Sequence, residues 1–292
     1  MYAVQIDRHG GPGVLVVREV PAPVPGPGEV LIRTVASSLN PVDWKTRARD
    51  IGPELPATLG WDLAGVVVAS EHPDHRAGDQ VIAMSAQIAT GLGTWAEQVV
   101  LPARLLAPAP TTVALADAAA LPLAGVTALQ ALELAKVGAG DRVLVTGAVG
   151  GVGGIAVQLA RRAGATVDGL VSRLEHLGAA RELGAVDVWH TPVDLPGRTY
   201  TAVLDTVGID AGAALVEGGR YVSVSDEPLA DIPGAAVSYV QENQDHLAHL
   251  AALVDSGELR LRVAHRHPFA EVRAAHERFE AGGVLGKVLL TF

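Results

Sequence analysis

The sequence predicts an α/β protein in two parts: a partly open β-barrel of short strands, then a doubly wound parallel sheet. Three observations predict it. About 110 N-terminal residues hold many short strands punctuated by Gly and Pro. From residue 115 onward, helical patterns alternate with apolar strands, a βαβ progression that implies parallel pairing. Between the two textures lies the most informative stretch, residues 142–164, which reads RVLVTGAVGGVGGIAVQLARRAG. Here a β-branched strand runs into a glycine turn and then into a helix with Ile155, Leu159 and Ala163 at four-residue steps. Such a turn points free N–H groups and a helix dipole at an anion, and missing side chains let backbone and phosphate approach. It predicts a dinucleotide site at the strand–helix junction.

The elements follow in order. Residues 2–7 read as a strand, Gly10-Gly11-Pro12-Gly13 as a turn, and residues 14–20 as the hairpin partner. Residues 21–28 contain four prolines and two glycines, a stiff surface connector. Residues 30–35 alternate as a strand does. Asn40-Pro41-Val42-Asp43 then starts a helix, with Asn40 and Asp43 able to cap and Pro41 suited to the first helical position. Residues 60–70, 81–84 and 93–100 read as further strands. Beyond them the pattern predicts a helix at 118–134, a strand at 142–146, a helix at 155–163, a strand at 166–171 and a helix at 175–183. Short strands at 186–188, 202–205 and 220–224 come next. A helix at 244–255, a strand at 260–265, a helix at 269–279 and a strand at 287–291 close the chain.

Composition excludes several classes. Of 292 residues, 49% are hydrophobic and 18% charged, a globular balance, and only 4% are aromatic, so aliphatic side chains must fill the core. The net charge of −10 and the absence of a Lys/Arg run argue against a nucleic-acid partner. The first residues carry no basic-then-apolar signal, and the apolar run 114–135 is interrupted by Asp117, Pro122 and Glu133. A soluble cytoplasmic protein with no membrane partner is expected. With no cysteine, disulfides, a thiol nucleophile and thiolate metal sites are excluded. Neither a nucleophile elbow nor a P-loop occurs, so hydrolase and kinase readings fall. His72 with His75, His246 with His249, and His265 with His267 have metal-like spacing, but solvated surface is the simpler account of each.

The motifs also resemble a known family. Asn40-Pro41-Val42-Asp43, Gly60-x-Asp62-x-Ala64-Gly65-Val66-Val67, Gly78-Asp79-x-Val81 and Gly93-Thr94-Trp95-Ala96-Glu97 occur in sequence. They are followed by Gly125-Val126-Thr127-Ala128, Gly150-Gly151-Val152-Gly153, Asp205-Thr206-Val207-Gly208 and Gly286-Lys287-Val288. This is the order found in the zinc-independent quinone oxidoreductase group of the medium-chain dehydrogenases/reductases, and it spans essentially the whole chain. The resemblance implies a GroES-like substrate and catalytic domain at 1–111, a Rossmann NADP-binding domain at 112–250, and a segment at 251–292 that returns to the barrel. Cofactor and substrate would share the cleft between them. It also implies a homodimer paired through a Rossmann edge strand, with residues 220–225 as the candidate edge.

The cofactor contacts expected from this alignment are Gly147, Ala148, Gly150, Gly151, Val152, Gly153, Thr127, Thr206, Val207 and Gly208. Two glycine registers fit, Ala148-x-Gly150-x-x-Gly153 and Gly151-x-Gly153-x-x-Ala156. At the end of the second strand, Ser172 stands in the slot of the acid that binds a ribose hydroxyl in NAD-selective domains, and Arg173 follows. Each charge-assisted bond to a 2′-phosphate contributes about 1.5–3 kcal/mol, so NADP(H) is the expected cofactor. Zinc-dependent relatives place a cysteine near Asn40 and a His-Glu pair where this chain has Trp61-Asp62, so no metal is expected.

Without a Lewis acid, the easier hydride acceptors are conjugated, because the charge spreads onto oxygen as a phenolate or enolate. The expected activity is NADPH-dependent reduction of a quinone or an α,β-unsaturated carbonyl. Asn40, Lys45 and Asp62 are the candidate catalytic residues, and Trp44 and Trp61 the candidate stacking walls for the substrate. Each has a structural alternative: Asn40 as helix cap, Lys45 as surface lysine, Asp62 as barrel support, the tryptophans as core. The connection 208–219 is compressed for the family. A competing reading is an NADPH-binding protein acting as redox sensor or as a non-reductive tailoring enzyme.

Overall fold

The computed structural model describes residues 1–225 and 231–292. The barrel part comprises β1 (Tyr2–Ile6), β2 (Val16–Glu19), β3 (Glu29–Ser38), α1 (Pro41–Ala48), β4 (Ala57–Thr58), β5 (Asp62–Ser70), β6 (Gln80–Met84), β7 (Gln98–Pro102) and β8 (Leu106–Pro108). Two helices, α2 (Leu115–Ala118) and α3 (Pro122–Leu134), lead into the second part. It contains β9 (Arg142–Thr146), α4 (Gly151–Arg162), β10 (Thr166–Leu170), α5 (Leu177–Leu183), β11 (Val188–Trp189), β12 (Tyr200–Asp205), β13 (Leu215–Ser223), β14 (Ala236–Val237) and α6 (Gln244–Asp255). The chain closes with β15 (Val263–Pro268), α7 (Val272–Glu280) and β16 (Lys287–Thr291).

The barrel is built on β3, ten residues long, which pairs antiparallel with β5, β7 and β16. Register shifts along β3–β5 bend the ribbon, as bulges do, and let one strand serve three neighbours. A smaller sheet, β2-β1-β4, flanks it. The last strand, β16, is inserted between β3 and β15, so the C-terminus completes the N-terminal sheet. The helix α6 runs through position 250 and packs on both α3 and β8.

The second sheet has the order β11-β10-β9-β12-β13-β14, and all its pairs are parallel. The order reverses between β9 and β12, where β10 leaves on one side and β12 on the other; ligands bind beyond the strand ends at such a point. Val143, Val145, Val167 and Leu204 bury one face under α3, α4 and α6. The opposite face, with Leu144, Tyr200, Val203 and Tyr221, is covered among the described residues by loop side chains such as Leu195, Ile209 and Ile232. That follows from the compressed connection: only residues 206–214 join β12 to β13, too few for an α-helical crossover.

Several boundaries differ from the sequence expectation. The run at 118–134 is divided into α2 and α3, because Pro122 takes the first position of a new helix. The span Leu115–Leu134 has a mean hydropathy of 1.4 and is 72% buried, which makes it a core element of this fold. Residues 220–225 were expected at the sheet edge. Instead β13 lies between β12 and β14, because Ala236 and Val237 pair with Val222 and Ser223. A two-residue strand leaves no periodic signal in sequence.

Candidate active site

The glycine turn forms where β9 meets α4. Gly147 has φ +61, and a Cβ there would lie 2.6 Å from Thr206 Oγ1 and 2.7 Å from Val207 Cγ1. Gly153 is in ordinary helix, yet its Cβ would lie 2.2 Å from the Gly147 carbonyl oxygen. Backbone therefore touches backbone at Gly153, the close helix–turn packing that the last glycine of the motif permits. This favours the register Ala148-x-Gly150-x-x-Gly153. No side chain caps the N-terminus of α4, so its first N–H groups face the turn. Asp205, at the end of β12, fixes the neighbouring strand ends. It accepts the Thr146 hydroxyl at 2.7 Å, the Ser223 hydroxyl at 2.9 Å and the Gly208 N–H at 3.1 Å.

In front of this turn lies a cleft of about 630 Å³ between the two parts. Its Rossmann-side wall includes Gly147, Gly150, Gly151 and Val152, then Ser172 at the end of β10 and Thr206 and Val207 after β12. Its barrel-side wall includes Leu39, Asn40 and Pro41, and the C-terminal segment adds Gly283, Gly286 and Lys287. A bridge between Gly150 and Gly286 ties the glycine turn to that segment.

Behind Asn40 sits a buried polar cluster. Asn40 is the N-cap of α1, and its backbone N–H donates to Asp43 Oδ2 at 2.7 Å. Its Nδ2 donates to Asp62 Oδ2 at 2.8 Å. Asp62 is fully buried, and its Oδ1 accepts the Leu123 N–H at 2.6 Å, which joins the barrel to the start of α3. Oδ2 also receives the Ser38 hydroxyl. The Lys287 ammonium completes the cluster. It donates to the Leu39 carbonyl at 3.0 Å and to Asn40 Oδ1, and it stands 3.4 Å from Asp62 Oδ2. Burial pulls the Lys287 pKa down, against the pull of Asp62 and Asp43. Burial pushes Asp43 up to about 8, with the Asp62 charge adding to the rise and the Asn40 N–H opposing it. Three acceptors surround the one ammonium, so the buried charge of Lys287 is paired and hydrogen-bonded.

The cleft brings together Asn40, Gly147, Gly150, Gly151, Val152, Ser172, Thr206 and Val207 from the sequence prediction, with Asp62 directly behind Asn40. Ala148 is fully buried beneath the turn and donates to the Leu170 carbonyl. Gly153 and Gly208 support the turn and do not face the cleft, and Thr127 is buried in α3. Lys45, Trp44 and Trp61 are not among the residues that wall the cleft. The helix α1 carries Lys45 about 7.5 Å along its axis from Asn40, and its ammonium lies over the Trp44 ring at 5.8 Å from the centroid. Trp61 is packed into the apolar core with Ala36 and Met84. The Arg173 guanidinium lies on the Gly283 backbone, where a Cβ would come within 2.1 Å of it, and Glu175 is 3.9 Å away. Two histidines hold the neighbouring wall instead, His176 and His190.

Sequence reasoning missed Lys287 and His176 as site residues. Lys287 had a signal: a lone lysine opening the otherwise apolar strand KVLLT. His176, in a solvated-looking Arg173-Leu174-Glu175-His176 stretch, had none.

Comparisons with known proteins give the family. Residues 26–111 match the alcohol dehydrogenase GroES-like domain, and residues 183–290 match the zinc-binding dehydrogenase family. An Arabidopsis thaliana protein named chloroplast envelope quinone oxidoreductase homolog is 32% identical over 325 residues, spanning 99% of this chain and 98% of that protein. The chain belongs to the quinone oxidoreductase group of the medium-chain dehydrogenases/reductases. A second Arabidopsis thaliana relative, named NADPH-dependent alkenal/one oxidoreductase, is 34% identical over 99% of this chain and 79% of that protein. The solved quinone oxidoreductase of Coxiella burnetii superposes on this quinone oxidoreductase family member with a TM-score of 0.89 at 31% identity, covering 100% of this chain and 99% of that one.

Proposed function

We propose that this chain is an NADPH-dependent oxidoreductase that reduces a quinone or an α,β-unsaturated carbonyl without a metal ion. The observation that carries the reading is the cleft itself, with a side-chain-free glycine turn on one wall and the Asn40 amide on the other. The names of the relatives supply the acceptor class and the cofactor. Bound along the turn, NADPH supplies the hydride. Gly150, Gly151 and Val152 would hold the pyrophosphate at the N-terminus of α4. No acid ends β10 in the cleft: Ser172 stands there, and Asp168 is fully buried and bound to Arg142 at 2.7 Å.

The residues near Asn40 do not fit zinc. Both oxygens of Asp62 are already filled by donors, and the Lys287 ammonium occupies the space a second cation would need. The charge that develops on the substrate oxygen is met by a hydrogen bond from Asn40. A conjugated acceptor spreads that charge, so one neutral donor serves where an isolated ketone needs a stronger electrophile.

The reading also carries a soluble cytoplasmic homodimer with no nucleic-acid or membrane partner. The net charge of −10 and the burial of the apolar run Leu115–Leu134 support the two exclusions. The test is a panel of quinones and enones incubated with purified protein and NADPH. Oxidation of NADPH with at least one conjugated acceptor, undiminished after treatment with a chelator, is the expected result. Tight NADPH binding with no acceptor turned over would refute it.

A further inference from the structure

We propose that Lys287 is a positioning residue that dictates which end of the Asn40 amide faces the substrate. The proposal rests on the reading of Asn40 as the donor to the substrate oxygen. The two ends of an asparagine amide have nearly the same shape, so packing alone does not choose between them. Chemistry chooses here. An ammonium donates only, and Lys287 meets Asn40 at Oδ1. An ionised carboxylate accepts only, and Asp62 Oδ2 receives Nδ2 at 2.8 Å. A flipped amide would set its NH₂ against the ammonium and its oxygen against the carboxylate, and both contacts would be repulsive.

The lock has a further consequence. Nδ2 carries two hydrogens, and Asp62 takes one. The other is shared with the Asp43 carboxyl, whose pKa the Asn40 side chain helps to lower, and Asn40 lines the cleft. The cluster therefore fixes the orientation of the Asn40 amide at the cleft wall, in front of the glycine turn. Lys287 itself keeps no donor for that space, because its three hydrogens face Leu39, Asn40 and Asp62. Its stem crosses the wall over Gly151, where a Cβ would lie 2.7 Å from Lys287 Cδ. The closing Gly286-Lys287 pair thus assembles two features at once: Gly286 bridges to Gly150, and Lys287 sets Asn40.

A double-mutant cycle tests this, with Lys287→Met, Asn40→Ala and the pair, each measured for enone or quinone turnover and for NADPH dissociation constant. Lys287→Met keeps the stem length and removes the donor. Expected is a fall in kcat of about tenfold or more in each single variant, a double variant no worse than Asn40→Ala alone, and NADPH affinity within about threefold of the parent. Two outcomes overturn the proposal. One is a loss in Lys287→Met that multiplies with that in Asn40→Ala. The other is weakened NADPH binding in Lys287→Met at unchanged kcat, the signature of a phosphate ligand. If Lys287→Met does not fold, Asp62→Asn carries the same test, because it removes the acceptor-only partner; undiminished kcat in that variant would refute the lock. A kcat unaffected by Asn40→Ala is the separate failure of Asn40 as donor.

Discussion

Replacing Gly153 by alanine tests the pyrophosphate cradle at its tightest point. The new Cβ would lie 2.2 Å from the Gly147 carbonyl oxygen, 2.8 Å from its carbonyl carbon and 3.2 Å from Ala148 Cα. All three are backbone atoms, so no side chain can swing aside. To restore even a 3.0 Å contact, the turn and the first residues of α4 must separate by 0.8 Å. That displacement moves the N–H groups aimed at the phosphates. Loss of one charge-assisted bond corresponds to about 1.5–3 kcal/mol, or roughly 10- to 100-fold in affinity. Overpacking costs a further 1–3 kcal/mol or so in stability. The measurement is NADPH titration by fluorescence beside chemical denaturation. Gly178→Ala in α5 is the matched control. A Cβ there meets nothing within 4 Å, and alanine in a helix is expected to stabilise by about 1 kcal/mol with no effect on NADPH. A stably folded Gly153→Ala protein that binds NADPH as tightly as the parent would refute the cradle.

His176 is nearly buried and walls the cleft beside Ser172, so His176→Ala is expected to raise the KM for NADPH about tenfold while that for NADH changes little, read as the ratio of the two kcat/KM values. His276 is fully buried against Arg47, Glu280 and the edge of Trp95, and burial, with the Arg47 charge adding, pulls its pKa down to about 4. The folded state therefore binds fewer protons than the unfolded state between pH 6.5 and 4, and stability falls as pH drops through that window. Relative to His276→Gln, the parent should lose about 2 kcal/mol more between pH 7 and 5 in urea denaturation, and equal losses would show that the imidazole is not held neutral. Glu280 is held below the usual carboxylate range: burial opposes this, but the paired Arg47 and His276 outweigh it. Its contribution is present at neutral pH and lost as pH falls through that lowered value, so Glu280→Gln should flatten the acid limb below about pH 4.5 without affecting NADPH binding.

How much of the site was legible depends on where its physics resides. The phosphate turn is a local object. Its strand, glycine turn and helix are consecutive in the chain, so the sequence shows the junction, although α4 starts at Gly151, four residues before the expected 155. Asn40 was legible for the same reason, since Asn-Pro-x-Asp writes a helix start. The resemblance to enone-reducing relatives points to Lys45, whereas the lysine that lines the cleft and meets the Asn40 side chain is Lys287, 247 residues away. No periodicity or spacing rule connects those two positions. They meet because β16 inserts between β3 and β15, and β3 ends two residues before Asn40. Arg173 illustrates the same limit: its position after β10 was readable, but its turn onto Gly283 depends on where the C-terminal segment passes.

By itself, then, the sequence determined the class of fold, the glycine turn and the family, because each is set by neighbours along the chain and by the order of motifs. Only the tertiary structure decided that Lys287 lines the cleft and which donors surround the Asp62 carboxylate beside Asn40. Those are matters of long-range contact: a buried carboxylate takes whatever donors the returning strand delivers, and that delivery is a property of the folded chain.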